Sequence, residues 1–334
     1  MKKLLYLPLS VLILISCERA FFEEVPENTP KNIFEQSWNF ANQEYSFFDF
    51  KGIDWDSVYN VYEPKISDEM SDEALFDTLS NMLYLLRDGH VNLKSEFNRS
   101  RNWTWYLNHA DNFDKYVLER NYFKEEQQYL SSFIIYDFGD VGYIYYSSFS
   151  NFVSSSDLDY VIDKFKDHKG IIIDIRDNFG GSLSNVNQIG SRFIDTTTVV
   201  AFTRAKNGPG RDDFSEFEDF EFTYDDSKTH FTKPVVVLTN RKSYSAGNYF
   251  PTCMSALPNV TIMGDVTGGG GGAPSFTELT NGWLLRVSTT QLFTIDGVNT
   301  EDGLEPDILI NDTDNEMNAG TDVILEEALK LIRN

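Results

Sequence analysis

Cysteine is almost missing from this 334-residue chain, and the only two, Cys17 and Cys253, cannot build a disulfide framework. Cations are also scarce. Lysine and arginine number 28 against 52 acidic residues, a formal charge of −24, so a phosphate backbone would be repelled and general nucleic-acid binding is excluded. The same charge favours solubility. The apolar run Leu4 to Ile15 is too short to cross a bilayer as a mature helix. The Gly180-Gly181 segment lacks the Gly-x-Gly-x-x-Gly spacing of a dinucleotide site. Four histidines, at 90, 109, 168 and 230, leave few imidazoles for acid–base work.

What is present describes an exported globular protein. Apolar residues at 41% and aromatics at 15% can bury a sizeable core, with length for about two domains. Lys2 and Lys3 followed by the apolar run read as an export signal over residues 1–16. Leu14-Ile15-Ser16-Cys17 resembles a bacterial lipobox. That resemblance implies cleavage before Cys17, lipidation of Cys17, and attachment to a membrane of the bacterial cell envelope. The outer membrane is the expected site, with the periplasmic and surface faces both open. Cys253 is then left without a partner and is read as a small buried hydrophobe. Residues 17–30, with Glu18, Glu23, Glu24, Pro26 and Pro30, read as an acidic tether.

Residues 31–98 carry helical periodicity and form an expected N-terminal helical subdomain. Its last helix has Ser71 as cap and ends at Arg87-Asp88-Gly89, where Gly89 is expected to take the left-handed conformation. His90 follows, entering the short strand Val91-Asn92-Leu93. His168 lies in a charged run and His230 in a polar turn, so His90 is the best-placed general base. Residues 99–334 read as an α/β core. A hairpin signal at 133–146 precedes helices near 155–166 and 183–194 that flank the apolar strand 170–176. Continuous apolar strands between helices indicate a sheet covered on both faces.

Two strand ends carry chemistry. Pro234 to Thr239 leads through Arg241-Lys242-Ser243-Tyr244 to Ser245-Ala246-Gly247, leaving Ser245 at a helix start, where the first N–H groups can receive an oxyanion. Taken alone, the segment reads first as an ordinary Ser-rich helix cap. Asp174 to Gly181 places two glycines at the other strand end, as oxyanion donors or simply as a tight turn.

Four segments, Leu86 to Val91, Asp174 to Gly181, Ser243 to Gly247 and Gly303 to Ile308, occur in the order seen in the tail-specific, or C-terminal processing, serine peptidases (clan SK). The chain is most similar to the histidine-using branch that includes the tricorn core. The likeness covers about Asn32 to Ile310, including Gly52-Ile53-Asp54-Trp55-Asp56. It implies a crotonase-like βαβ spiral core, with the N-terminal helical subdomain, and an acyl-enzyme mechanism without metal or organic cofactor. The Ser-Lys branch takes its base from a lysine roughly 25 residues after the nucleophile, a count that lands within Gly268 to Gly272, where no lysine stands. The resemblance therefore implies Ser245 as nucleophile, His90 as base, and Glu301, or else Asp302, as the carboxylate beyond the imidazole. Gly181 and Ala246 are the implied oxyanion donors, with Gly180 as substitute. Gly89 and Asn248 stand where relatives carry serine and glutamate. Gly268 to Gly272 is expected as a mobile loop beside the cleft. The segment from about Lys94 to Asp140 is too short for the peptide-gripping PDZ module of many relatives, which needs roughly 80 to 100 residues.

The function so implied is a serine endopeptidase acting on proteins or peptides. The alternative is a catalytically inactive relative that binds a hydrophobic or peptide ligand at the cell envelope, since fold does not fix function.

Overall fold

The computed structural model describes residues 27–101, 103–124, 126–311, 317 and 319–334. The expected export signal, the lipidation residue Cys17 and most of the tether lie outside the described residues. α1 (Pro30–Glu44) starts where the Thr29 hydroxyl accepts from the Asn32 N–H, with Pro30 at a position that needs no donor. α2 (Phe48–Lys51) is one turn, α3 (Trp55–Tyr62) is capped by Asp54, and α4 (Asp72–Tyr84) is capped by Ser71. Their apolar faces bury Phe34, Trp55, Leu79 and Leu83 against Leu285 and Val287.

α4 ends earlier than its sequence suggests. The left-handed position expected of Gly89 falls instead to Arg87, at φ 46°. Glycine is needed at 89 for space, because a Cβ there would meet Tyr244 Oη at 2.8 Å. After this turn β1 (Asn92–Lys94) pairs antiparallel with β11 (Leu284–Ser288), so the N-terminal region shares a sheet with the late chain.

The main sheet has seven strands. β2 (Gln128–Leu130), β3 (Phe133–Asp137) and β4 (Val141–Tyr146) run antiparallel at one side. β5 (Gly170–Asp174), β8 (Val235–Thr239), β9 (Val260–Gly264) and β13 (Ile308–Leu309) continue from β4 in parallel. Because side chains alternate along a strand, Ile171 and Ile173 face one layer and Ile172 the other. The first layer holds α5 (Ser155–Phe165), α6 (Leu183–Gly190) and α7 (Ala246–Met254), and the second holds α8 (Val323–Arg333). Two antiparallel sheets flank this core. One orders β1, β11 and β10 (Pro274–Glu278); the other orders β12 (Thr290–Phe293), β6 (Thr198–Ala205) and β7 (Glu218–Phe222).

Candidate active site

β5 and β8 are adjacent parallel strands, so the loops at their carboxyl ends emerge side by side. Ser243 Oγ donates to Ile175 O and the Tyr244 N–H to Asn178 O, which joins the two loops. Ser245 then stands at φ 59° and ψ −122°, a backbone position that costs a non-glycine residue about 1–3 kcal/mol. Its N–H donates to Gly269 O, and its carbonyl accepts from the Asn248 and Tyr249 N–H groups, so the strained turn is held from both sides. The side chain makes no capping bond to α7. Ser245 Oγ lies instead 3.0 Å from His90 Nε2.

Gly268 to Gly272 is buried and packed between the serine turn and Glu301, not the mobile loop its composition suggests. A Cβ at Gly269 would lie 1.9 Å from Glu301 O, and one at Gly270 would lie 2.4 Å from the Tyr244 ring. The glycines permit close backbone approach at this point.

His90 rides on the turn after α4. Asp88 Oδ1 accepts from the His90 N–H and Oδ2 from Ser288 Oγ, both at 2.7 Å, which pins the turn to β11. The Asn92 and Trp103 side chains both donate to Gly89 O. Burial pushes the imidazole down to about 4; Arg286 and Lys51 add to the depression, while Asp88 and the nearby Gly272 backbone oppose it. The ring is thus neutral at pH 7, the form that can take a proton. Tyr244 stacks on Tyr106 with centroids 4.4 Å apart and packs its ring 5.0 Å from the imidazole.

Gly180 and Gly181 have φ values of 94° and 145°, which favour glycine. The Gly180 N–H donates to Asn178 Oδ1 at 3.0 Å, so the expected substitute donor is already engaged. Among the described residues no acceptor engages the Gly181 or Ala246 N–H; Ala246 directly follows Ser245, and Gly181 lines the same cleft as the serine. Gly180 packs directly on that turn: a Cβ would lie 2.6 Å from Tyr244 O and 2.8 Å from Ala246 N.

Glu301 is fully buried, but no hydrogen bond joins it to His90. Its Oε1 pairs with Lys51 Nζ at 2.8 Å, and Lys51 also donates to Arg87 O at 2.8 Å. The expected acid therefore reaches the histidine turn through a lysine, because the Lys51 side chain occupies its face. Burial pushes Glu301 up to about 8, against the pull of Lys51. Asp302, the other expected acid, is exposed. Glu301 Oε2, His90 Nδ1 and Tyr244 Oη are buried without a hydrogen-bond partner.

Lys51, Asp88 and Tyr244 escaped sequence reasoning as site residues. Asp88 and Tyr244 sit inside the motifs that carry His90 and Ser245, so adjacency was an available signal. Lys51 meets Glu301 across 250 positions, a contact that no local pattern reveals. Asn248 bonds Thr300 through its amide and accepts from Thr267, tying α7 to the strand segment before Glu301. Among the described residues no group of three or more His, Cys, Asp or Glu could hold a metal ion.

The pair opens into a cleft of about 460 Å³, with Phe179, Trp103 and Tyr106 on its walls and the Ser148 and Ser150 region at one side. A hydroxyl in contact with a neutral imidazole, in a cleft that Gly180 and Gly181 also line, has the parts of an acyl-transfer site.

Residues 140–310 match the model of peptidase family S41, and residues 26–84 match the tricorn protease C1 domain. A crystal structure of a provisionally named peptidase from Parabacteroides merdae ATCC 43184 superposes with a TM-score of 0.86, at 39% identity, over 92% of this chain and 97% of that one. The carboxy-terminal processing protease CtpA of Bacillus subtilis (strain 168) is 28% identical over 160 residues, 47% of this chain and 32% of its own length. The chain thus spans about a third of the length of the curated relatives it matches. Mature CPAF, at 12% identity and a TM-score of 0.67 over 91% of this chain and 98% of that one, shares the fold.

Proposed function

The chain belongs to peptidase family S41, and from that membership we propose that it is a serine endopeptidase hydrolysing protein or peptide substrates through an acyl-enzyme on Ser245. The observation that carries this reading is the 3.0 Å contact between Ser245 Oγ and a neutral, buried His90 Nε2, at a serine whose backbone is held in strain. A ligand-binding role has no use for that combination.

In this reading His90 Nε2 takes the Oγ proton as Oγ attacks the scissile carbonyl carbon. The carbonyl oxygen becomes an oxyanion between the Gly181 and Ala246 N–H groups, each contributing on the order of 3 kcal/mol in the transition state. Collapse breaks the C–N bond, and the imidazolium gives its proton to the departing amine. Water, deprotonated by the same imidazole, then releases the acyl group. The buried Asp88 carboxylate favours the transient imidazolium electrostatically. Glu301 is a positioning residue, acting through Lys51 on the Arg87 carbonyl and so on the turn that carries His90.

The proposal extends to location. Lipidation at Cys17, supported by the Leu14-Ile15-Ser16-Cys17 sequence, would tether the enzyme at the bacterial cell envelope, on the outer membrane. The activity is tested by incubating the protein with an unfolded polypeptide and mapping cleavage by mass spectrometry. Ser245→Ala should lower the rate by roughly 10⁴-fold or more. Equal cleavage by the Ser245→Ala protein would overturn the assignment.

A further inference from the structure

The cleft departs in charge from the rest of the molecule. The chain carries 52 acidic residues and 28 lysines and arginines, yet the described lining of the cleft contains two arginines, Arg99 and Arg286, and no aspartate or glutamate. Neither arginine forms an ion pair within 4.0 Å among the described residues, whereas most other arginines of the fold do. Arg286 sits on β11, opposite Asn92 of β1, on the sheet that also pins the His90 turn. Arg99 approaches the same place from the loop after β1, with one guanidinium N–H on Asn92 Oδ1 at 3.3 Å. The two cations are near enough to repel: Arg286 is pushed down from the usual guanidinium range chiefly by partial burial, against the pull of Tyr244 and Asp88, and Arg99 adds to the depression.

Arg286 is half-buried beside the exposed Arg99, and among the described residues neither has a carboxylate in contact, so the pair presents positive charge to the cleft. An arginine fork is also matched in shape to a carboxylate, which it binds through two parallel N–H bonds. Resting on the peptidase reading above, we propose that Arg286 and Arg99 form a specificity subsite that binds a carboxylate of the peptide substrate beside Ser245. The carboxylate has two sources, an acidic side chain near the scissile bond or the free C-terminus of the chain. Phe179 and Trp103 supply apolar walls across the same cleft, so the subsite selects an anionic group next to apolar residues. The occupant would also offset the Arg286 charge that helps keep His90 depressed, which makes the base stronger once substrate is bound.

The test measures binding alone, with the Ser245→Ala protein and three N-acetylated Ala/Leu hexapeptides, by isothermal titration calorimetry. One has a central Gln and an amidated end, one a central Glu and an amidated end, and one a central Gln and a free end. At least one carboxylate peptide should bind about tenfold or more tightly than the neutral one, and the gap should narrow at high salt. Adding Arg286→Gln or Arg99→Gln should reduce that gap to about threefold or less. Arg101→Gln, at a residue that stacks on Trp103 outside the cleft lining, should retain it. Preference for the Glu peptide assigns the side-chain source, and preference for the free end assigns the terminus. Equal binding by all three, no binding by any, or a preference that survives both cleft-arginine changes would overturn the subsite. Failure of the wild-type protein to cleave peptides would count against the peptidase reading alone.

Discussion

Arg176 and Lys51 are both cations buried in the interior, and their surroundings differ in how completely they answer the charge. Arg176 reaches Asp174 and Asp322 with five side-chain hydrogen bonds, the Tyr143 hydroxyl adds a bond to Asp174, and the Phe113 ring lies 4.2 Å from the guanidinium. Every carboxylate oxygen there has a partner. Around Lys51, one oxygen of Glu301, one nitrogen of His90 and the Tyr244 hydroxyl are left without one. The first cluster joins the end of β5 to the cap of α8, and it fixes the strand end from which Gly180 and Gly181 project. The second lies behind the reacting atoms. Full satisfaction gives rigidity, while unpaired buried groups cost about 1–3 kcal/mol each and are retained where chemistry uses them.

The sharpest way to break this comparison is Arg176→Ala, which leaves two carboxylates buried together. It should lower the unfolding free energy by about 3–5 kcal/mol, measured by urea denaturation. A loss under about 1 kcal/mol would put the two clusters on the same footing. Gly180→Ala acts on the site side of the comparison. Its Cβ would press on Tyr244 O and Ala246 N at a backbone angle that disfavours alanine, so peptide hydrolysis should fall about 100-fold, for a stability loss of about 1–2 kcal/mol. Unchanged hydrolysis would mean that the Ala246 amide is not placed critically.

The smallest effect concerns Glu301 and pH. Its folded pKa is raised from an ordinary 4.5 to about 8 by burial, so between those values the folded chain holds a proton that the unfolded chain has released. The stability this contributes is complete below pH 4.5 and is lost as pH rises through about 8. Glutamine cannot ionise. Glu301→Gln should therefore gain on wild type by about 1–2 kcal/mol between pH 5 and pH 6.5 in denaturant unfolding. A difference that does not change with pH would show that burial does not hold the Glu301 proton.

Much of this was legible in the chain itself. Ser71 caps its helix, the strand–helix alternation from 155 to 254 forms the core, and Ser245 and His90 meet, because each depends on local periodicity or on an ordered motif. Close approach was harder to read. Gly89 reads as a left-handed helix end and Gly268 to Gly272 as a mobile loop, yet in the fold these glycines make room for Tyr244 and Glu301 from distant segments. The same limit hid Lys51. Its pairing with Glu301 needs the helical region and the late chain to be packed first, so the acid was expected against His90 directly.

The central claim, that His90 activates Ser245, is tested most directly by the rate of fluorophosphonate labelling as a function of pH. The wild-type protein should give a single adduct on Ser245, absent in Ser245→Ala and His90→Ala. Its rate should persist below the ordinary imidazole range and fall away only near pH 4, where His90 protonates. A folded protein that takes no label, or an adduct that survives Ser245→Ala, would contradict the account.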